Sequence, residues 1–223
     1  MSSFASKDYQ KSVEEHPFHN HFERPATVAL LPDLKGLKVL DAGCGTGWYS
    51  AYMLNHGAEV TALDITPEML ELTRQRVNGK ITAILASLEE VLPFEAESFD
   101  LVLSTMTLHY LKDWTAVFKE LNRSLKPGGR FIFSTHHPFT EFQASGETYF
   151  ALEERVRKTL AGHSLRSYRR PLGVVLKALR ESGLGLEHLE EPVPLPSYAQ
   201  FDADDYQKAC KAPQLLLISA KKL

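Results

Sequence analysis

The chain has 223 residues, 43% of them hydrophobic and 24% charged, with a formal net charge of -3 and a pI of about 6.3. This is enough chain to bury a full core in one domain, 1–223, and the acidic balance speaks against a general nucleic-acid binder. Two cysteines, Cys44 and Cys210, make no disulfide framework. No apolar run reaches membrane-spanning length, and MSSFASKDYQKS lacks the apolar segment of a signal peptide, so a cytoplasmic protein with no membrane partner is expected.

Residues 1–31 read as short helical pieces before the core, a cap segment rich in histidine and aromatics (HPFHNHFERP). Lys38 to Asp41 is the first strand, and Trp48 to Asn55 a helix stopped by Gly57. A second strand, Val60 to Leu63, ends at Asp64. Thr66 then caps a helix with Pro67 at its first position and an apolar stripe of Met69, Leu70, Leu72 and Val77. Strands follow at Ile81 to Leu85 and Phe99 to Ser104. A helix from Asp113 to Leu125 stops sharply at KPGG, Lys126 to Gly129, before a fifth strand from Arg130 to Ser134. Alternation of strand and helix predicts an α/β, doubly wound, mostly parallel sheet of seven strands with helices on both faces and ligands at the carboxyl strand ends. Residues 136–170 interrupt the pattern with HHPF, a polar turn (Ala144 to Glu147) and a basic helix-like piece (Leu152 to Leu160), an insertion expected over the active face. A helix from Pro171 to Ser182, a strand near Leu186 to Leu189, the loop EPVPLPSY and an apolar antiparallel last strand, Gln214 to Ala220, close the chain.

The chemistry concentrates in VLDAGCGTGWYS, Val39 to Ser50, where a strand turns into a helix through Gly43, Gly45 and Gly47. Such a turn brings bare backbone N–H groups against a ligand. The dinucleotide fingerprint wants a glycine where Trp48 stands, which disfavours a pyrophosphate. Asp64, at the end of the next strand, is placed to accept hydrogen bonds from both hydroxyls of a ribose. A ribose without a pyrophosphate is a nucleoside ligand.

At these residues the chain resembles the class I S-adenosylmethionine-dependent methyltransferases, in a bacterial small-molecule branch whose acceptor is unassigned. VLDAGCGTG resembles the family's first motif and VTALDITPEML its second. FDLVLSTMTLHYLKD resembles the fourth-strand motif, and LKPGGRFIFS the fifth-strand segment. The resemblance implies S-adenosyl-L-methionine as cofactor and a Rossmann-like fold. It also implies that the backbone at Gly43, Cys44 and Gly45 approaches the methionine part of the cofactor, with Asp41 facing its amino group. Asp64 would hold the ribose, and Ile65 and Met69 would lie near the adenine. Ser87 and Leu88 stand where the family often has an acidic residue for the adenine amino group. Ser104 and Leu108 would flank the methionine.

Other readings stand beside these. Asp64 could serve only as a charge at a helix N-terminus. His109, His136 and His137 sit at strand ends on the expected active face: each is either a neutral histidine bonded to backbone or a base for the acceptor's proton. The spacing His16, His19, His21 invites a metal reading, but no cysteine or carboxylate set accompanies it, and a surface or cap role is preferred. Arg155, Arg157, Lys158, Arg166, Arg169 and Arg170 make either a solvated face or a surface for an acidic substrate. The expected reaction is in-line methyl transfer to a small molecule by a monomer or homodimer. The alternatives are a nicotinamide-linked oxidoreductase and a non-catalytic scaffold on the same fold. The N-P-P-Y type signature of exocyclic-amine methylation is absent after the fourth strand, and nucleic acid ranks low as a partner.

Overall fold

The computed structural model describes residues 10–143, 148–158 and 164–223. Strands are β1 (Lys38–Ala42), β2 (Glu59–Asp64), β3 (Thr82–Leu85), β4 (Phe99–Thr105), β5 (Leu125–His136), β6 (Glu153–Lys158), β7 (Ser164–Arg169), β8 (Leu184–Glu190) and β9 (Leu215–Lys222). Helices are α1 (Arg24–Leu30), α2 (Trp48–Asn55), α3 (Pro67–Arg76), α4 (Trp114–Ser124), α5 (Pro138–Gln143), α6 (Leu172–Glu181) and α7 (Ala203–Lys211). A wider π-type turn, His19–Glu23, leads into α1. Among the described residues, no helix is long and apolar enough to cross a membrane.

The seven-stranded sheet runs β3-β2-β1-β4-β5-β9-β8. Pairing is parallel from β3 through β5, and β9 is antiparallel to both β5 and β8, the arrangement the sequence predicts. Strand order reverses between β1 and β4, so the crevice of this sheet opens at the carboxyl ends of those two strands. Period-2 alternation divides the core. Leu101, Leu103 and Ile132 pack with Tyr49 and Met53 of α2 on one face. Val102, Phe131 and Phe133 pack with Trp114, Phe118 and Leu121 of α4 and Val175 and Leu179 of α6 on the other.

The structure corrects the sequence reading in four places. KPGG is not a stop between helix and strand: β5 already begins at Leu125, paired with Phe99, and the register then jumps to Leu101 opposite Arg130. Gly128, at φ 74°, absorbs the irregularity. The helix-like piece at Leu152 is a strand, and β6 pairs antiparallel with β7 as a two-stranded ribbon. Helix α7 has no counterpart in the sequence reading. Its start signal is Asp202, whose carboxylate accepts from Asp205 N at 2.8 Å. Thr66 does occupy the cap position of α3, but its side chain makes no cap bond; the Asp64 carboxylate accepts from Thr66 N instead. The expected polar turn at Ala144 to Glu147 lies outside the described residues.

Arg169 fastens the ribbon. Its fully buried guanidinium donates to the carbonyls of Thr148, Tyr149 and Ala151 and meets both carboxylate oxygens of Glu153, Nε to Oε2 at 3.0 Å and Nη2 to Oε1 at 2.8 Å. With Arg155 also bonded to it, Glu153 is held down at about 2. Replacing Arg169 by methionine is expected to cost about 3–5 kcal/mol, the scale for breaking a buried ion pair. Urea unfolding with a readout of protease cutting between 148 and 170 checks this. Because the Glu153 carboxyl is depressed in the folded protein, its contribution is present above the ordinary carboxylate range and is lost as pH falls towards 2.

Candidate active site

The glycine turn follows β1. Gly43 N and Cys44 N both donate to Leu63 O of β2, at 2.8 and 2.9 Å, and Gly47 N donates to Cys44 O. Gly43, Gly45 and Gly47 all have positive φ (85°, 54° and 77°), but the space around them differs. A side chain on Gly43 would run into Thr107, 2.4 Å away, and one on Gly47 into Thr73, 2.7 Å away; at Gly45 nothing lies within 4 Å. Gly43 and Gly47 are therefore required by packing. Gly45 leaves an open face of bare backbone, with room for a ligand. Thr73 donates to Gly45 O at 3.0 Å and Arg76 Nε to Thr46 O at 2.8 Å, so α3 holds the outside of the turn. The Cys44 thiol is buried beside Thr73. Burial first, and then the charges of Asp41 and Asp64, push its pKa far up, so only its backbone faces the chemistry.

Two carboxylates stand beside this turn with different partners. Asp64 accepts from Gly45 N through Oδ2 and from Thr66 N through Oδ1, both at 2.9 Å. Burial raises its pKa against these two amides, which pull it down. The carboxylate that supports the loop is thus Asp64, and it also meets the start of α3. Asp41 was the expected loop support; instead it is buried and accepts from Ser50 Oγ of α2 at 2.6 Å. Its pKa is pushed up to about 7, by burial and by the nearby charge of Asp64, against the Ser50 bond.

The other predicted cofactor residues divide by access. Ile65 projects from the end of β2 with 68% of its surface exposed, and Met69 is buried on α3. Ser87 Oγ accepts from Glu89 N, which orders the turn after β3. Leu88 is buried in the core. Ser104 and Leu108 are both fully buried, and Ser104 donates to Ala42 O at 2.8 Å to tie β4 to β1. The expectation that these two flank a ligand is corrected: between them Thr107 comes forward and donates to Gly43 O at 3.2 Å. Met106, at φ 48°, makes the bend that brings it there.

The three candidate histidines do not converge. The rings of His109 and His136 lie 4.7 Å apart and line a narrow cleft with Trp114, Thr135, Pro138, Tyr168, Arg170 and Val175. His137 is outside it: Nδ1 accepts from Phe139 N at 3.2 Å and Nε2 sits 2.7 Å from Glu191 Oε1. Burial lowers the His137 pKa, opposed by Glu191. Of the N-terminal histidines, His21 bonds Ser197 and His16 Nδ1 accepts from Phe18 N, and among the described residues no group of three His, Cys, Asp or Glu could hold a metal ion.

Comparison with known proteins agrees with this geometry. A family described as a methyltransferase domain matches residues 40–133, from β1 through β5. An S-adenosylmethionine-dependent methyltransferase of solved structure from Mesorhizobium loti is 32% identical, covers 94% of this chain and 99% of that one, and superposes with a TM-score of 0.77. A malonyl-[acyl-carrier protein] O-methyltransferase from Enterobacter lignolyticus is 30% identical over 82% of this chain and 79% of its own length. The chain belongs to the class I S-adenosylmethionine-dependent methyltransferases. An uncharacterized protein of Haemophilus influenzae is similar over 90% of this chain and 87% of its own, at 26% identity.

In this methyltransferase the nicotinamide-linked and scaffold alternatives fall away, and Trp48 has a packing role. It opens α2, stacks on Tyr52 and carries the Arg24 guanidinium 4.5 Å above its ring. One residue the sequence reading missed is Glu23, buried in the turn before α1. It accepts from Thr27 at 2.9 Å and from Tyr49 and Ser134, each at 2.8 Å. Burial raises its pKa, but the donors His19, Ser134 and Tyr49 outweigh it and the net shift is downward. Ser134 Oγ in turn accepts from Met106 N at 3.2 Å. A bonded chain thus runs from the N-terminal segment through β5 to the bend that carries Thr107 to the glycine turn. Nothing in HNHFERP marks Glu23 as buried; its partners come from three distant stretches.

Proposed function

We propose that this methyltransferase acts on a small-molecule acceptor, delivered to the cleft at the carboxyl ends of β4 and β5. The observation that carries the cofactor half of this reading is the open backbone at Gly45, with Asp64 bonded to its amide. The Gly43–Gly45 backbone would line the methionine part, Asp41 would face the amino group, and Asp64 would offer its remaining lone pairs to the ribose hydroxyls. Ile65 and Met69, with the turn at Ser87 and Leu88, would border the adenine. The bound sulfonium supplies a methyl group already activated for displacement, so the protein's own task is alignment and exclusion of water, worth about 7–11 kcal/mol in well-oriented systems.

On this reading residues 1–31 act as a cap and 136–170 as a cover for the acceptor. Support for the cap comes from the ion pair of Glu14 with Arg76, which itself holds Thr46 O, and from the Glu23 bonds to Tyr49 and Ser134. Support for the cover comes from Pro138, Tyr168 and Arg170 in the cleft lining. Where the acceptor's nucleophile still holds a proton, His136 or His109 is placed to take it; His137 is not. A small acceptor agrees with the net charge of -3 and with the relative named for malonyl-[acyl-carrier protein].

Titration calorimetry with S-adenosylmethionine and its demethylated product, followed by labelled-methyl transfer to pooled metabolites, tests the two halves separately. No heat with either nucleoside would sink the cofactor site. Asp64→Ala is expected to weaken binding by about 1.5–3 kcal/mol, the scale of a hydrogen bond to a charged group. Asp64→Asn, which keeps one acceptor oxygen for Gly45 N, is the control for the fold.

A further inference from the structure

The basic residues of 136–170 are not equivalent. Arg169 is consumed by Glu153 and three carbonyls, Arg155 also bonds Glu153, and Arg166 pairs with Glu154 on the exposed side of the ribbon. Arg170 alone of these four lines the cleft. Its side chain is buried, with 4% of its surface exposed. Two contacts fix the guanidinium plane: Nη2 donates to Leu111 O at 2.7 Å, and the group lies 4.0 Å above the Trp114 ring. Trp114 is itself fixed by its indole N–H, which donates to Leu108 O at 2.7 Å. Around the same opening stand the imidazoles of His109 and His136, the hydroxyl of Thr135 and the phenol of Tyr168, and no acidic side chain belongs to the lining. The cleft is narrow. It admits the end of a molecule, a group about the size of one or two waters, and not a whole ring.

A rigid, buried guanidinium at the end of a narrow slot lined by further hydrogen-bond donors suits a planar anion, because the fork matches the two oxygens of a carboxylate. We infer that the acceptor of this methyltransferase carries a carboxylate and that Arg170 binds it in the His109–His136 cleft. Phosphate fits less well: it is tetrahedral and bulkier than the space the cleft offers. The inference rests on the proposed acceptor site, and it specifies how the acceptor is recognised. It does not specify which atom is methylated.

Trp114 supplies the readout, since a ligand on Arg170 alters the environment of the indole beneath it. The enzyme, saturated with the demethylated cofactor product, is titrated with aliphatic and aromatic mono- and dicarboxylic acids of four to ten carbons. Each acid is paired with its primary amide, and tryptophan fluorescence is followed. At least one acid is expected to bind tenfold or more tightly than its amide, with the preference shrinking as salt rises. Arg170→Gln should abolish the preference and Arg170→Lys should keep part of it, while both keep wild-type affinity for the cofactor product by calorimetry. Acids and amides binding alike to the wild-type enzyme, or no acid binding at all, overturns the inference without recourse to any variant. So does a preference that survives in Arg170→Gln. Failure to bind the cofactor product would instead overturn the site reading on which the inference rests, and the calorimetry arm reports that separately.

Discussion

Asp41→Asn is expected to make the ligand-free methyltransferase more stable at pH 8 while removing most of its affinity for S-adenosylmethionine. The Asp41 carboxyl is buried against β1, with Ser50 Oγ as its hydrogen-bond donor and the charge of Asp64 nearby, and its pKa is pushed up to about 7. In the unfolded chain the group ionises near pH 4. Between those values the folded protein holds a proton that the unfolded chain has lost, so wild-type stability falls as pH rises, by about 1.4 kcal/mol per unit. Above pH 7 the loss is complete and levels off. Asparagine carries no such burden, and its amide oxygen still accepts from Ser50. The stability difference, variant minus wild type, should therefore grow by about 2–3 kcal/mol between pH 5 and pH 8. Urea unfolding at both pH values measures it. Binding should move the other way. On the proposed site the ionised carboxylate faces the cofactor's ammonium, and loss of a charge-assisted hydrogen bond costs about 1.5–3 kcal/mol, a tenfold to hundredfold weakening. A stability difference that stays flat with pH would show that Asp41 is ionised throughout; unchanged affinity would remove it from the site.

How much of this was legible in the sequence depends on whether the signal was local. The strand–glycine–helix turn, the acid at the end of β2 and the alternation through β5 rest on spacing along one stretch, and the sheet bears them out. The ribbon of β6 and β7 was read as helix because EERVRK is polar throughout and carries no apolar period of either kind; only pairing with the later SLRSYR makes it a strand. Within the site, motif position named Ser104 and Leu108 but could not tell which side chains turn inward, and Thr107 between them is the one that reaches the glycine turn. The hydrogen-bonded role of Glu23 and the separation of His137 from His109 and His136 depend on contacts between segments far apart in the chain. Arg170 was visible only as one of six basic residues, and burial is what singles it out.

Alanine at each glycine of the turn in succession should separate folding from binding. The three positions share a positive φ, which costs an alanine about 1–2 kcal/mol wherever it is placed. At Gly47 the new methyl would also lie 2.7 Å from Thr73 Oγ1 and 2.9 Å from Thr73 Cα, and the backbone of α3 cannot step aside cheaply. At Gly43 it would lie within 2.9 Å of three Thr107 atoms, and that side chain is held by its bonds to Gly43 O and Thr105 O. Overpacking adds about 1–3 kcal/mol, so Gly43→Ala and Gly47→Ala should lose about 2–5 kcal/mol of stability. Gly45→Ala meets no atom within 4 Å and should lose only the backbone share. Its methyl, however, would stand on the open face where the proposed site puts the methionine part of the cofactor. Gly45→Ala should therefore fold nearly as well as the wild type and bind S-adenosylmethionine and its demethylated product at least tenfold more weakly. Denaturation and calorimetry on the same three preparations read both quantities. If Gly45→Ala binds like the wild type, the open backbone at that glycine does not face the cofactor, and the observation on which the proposed cofactor site most depends is lost.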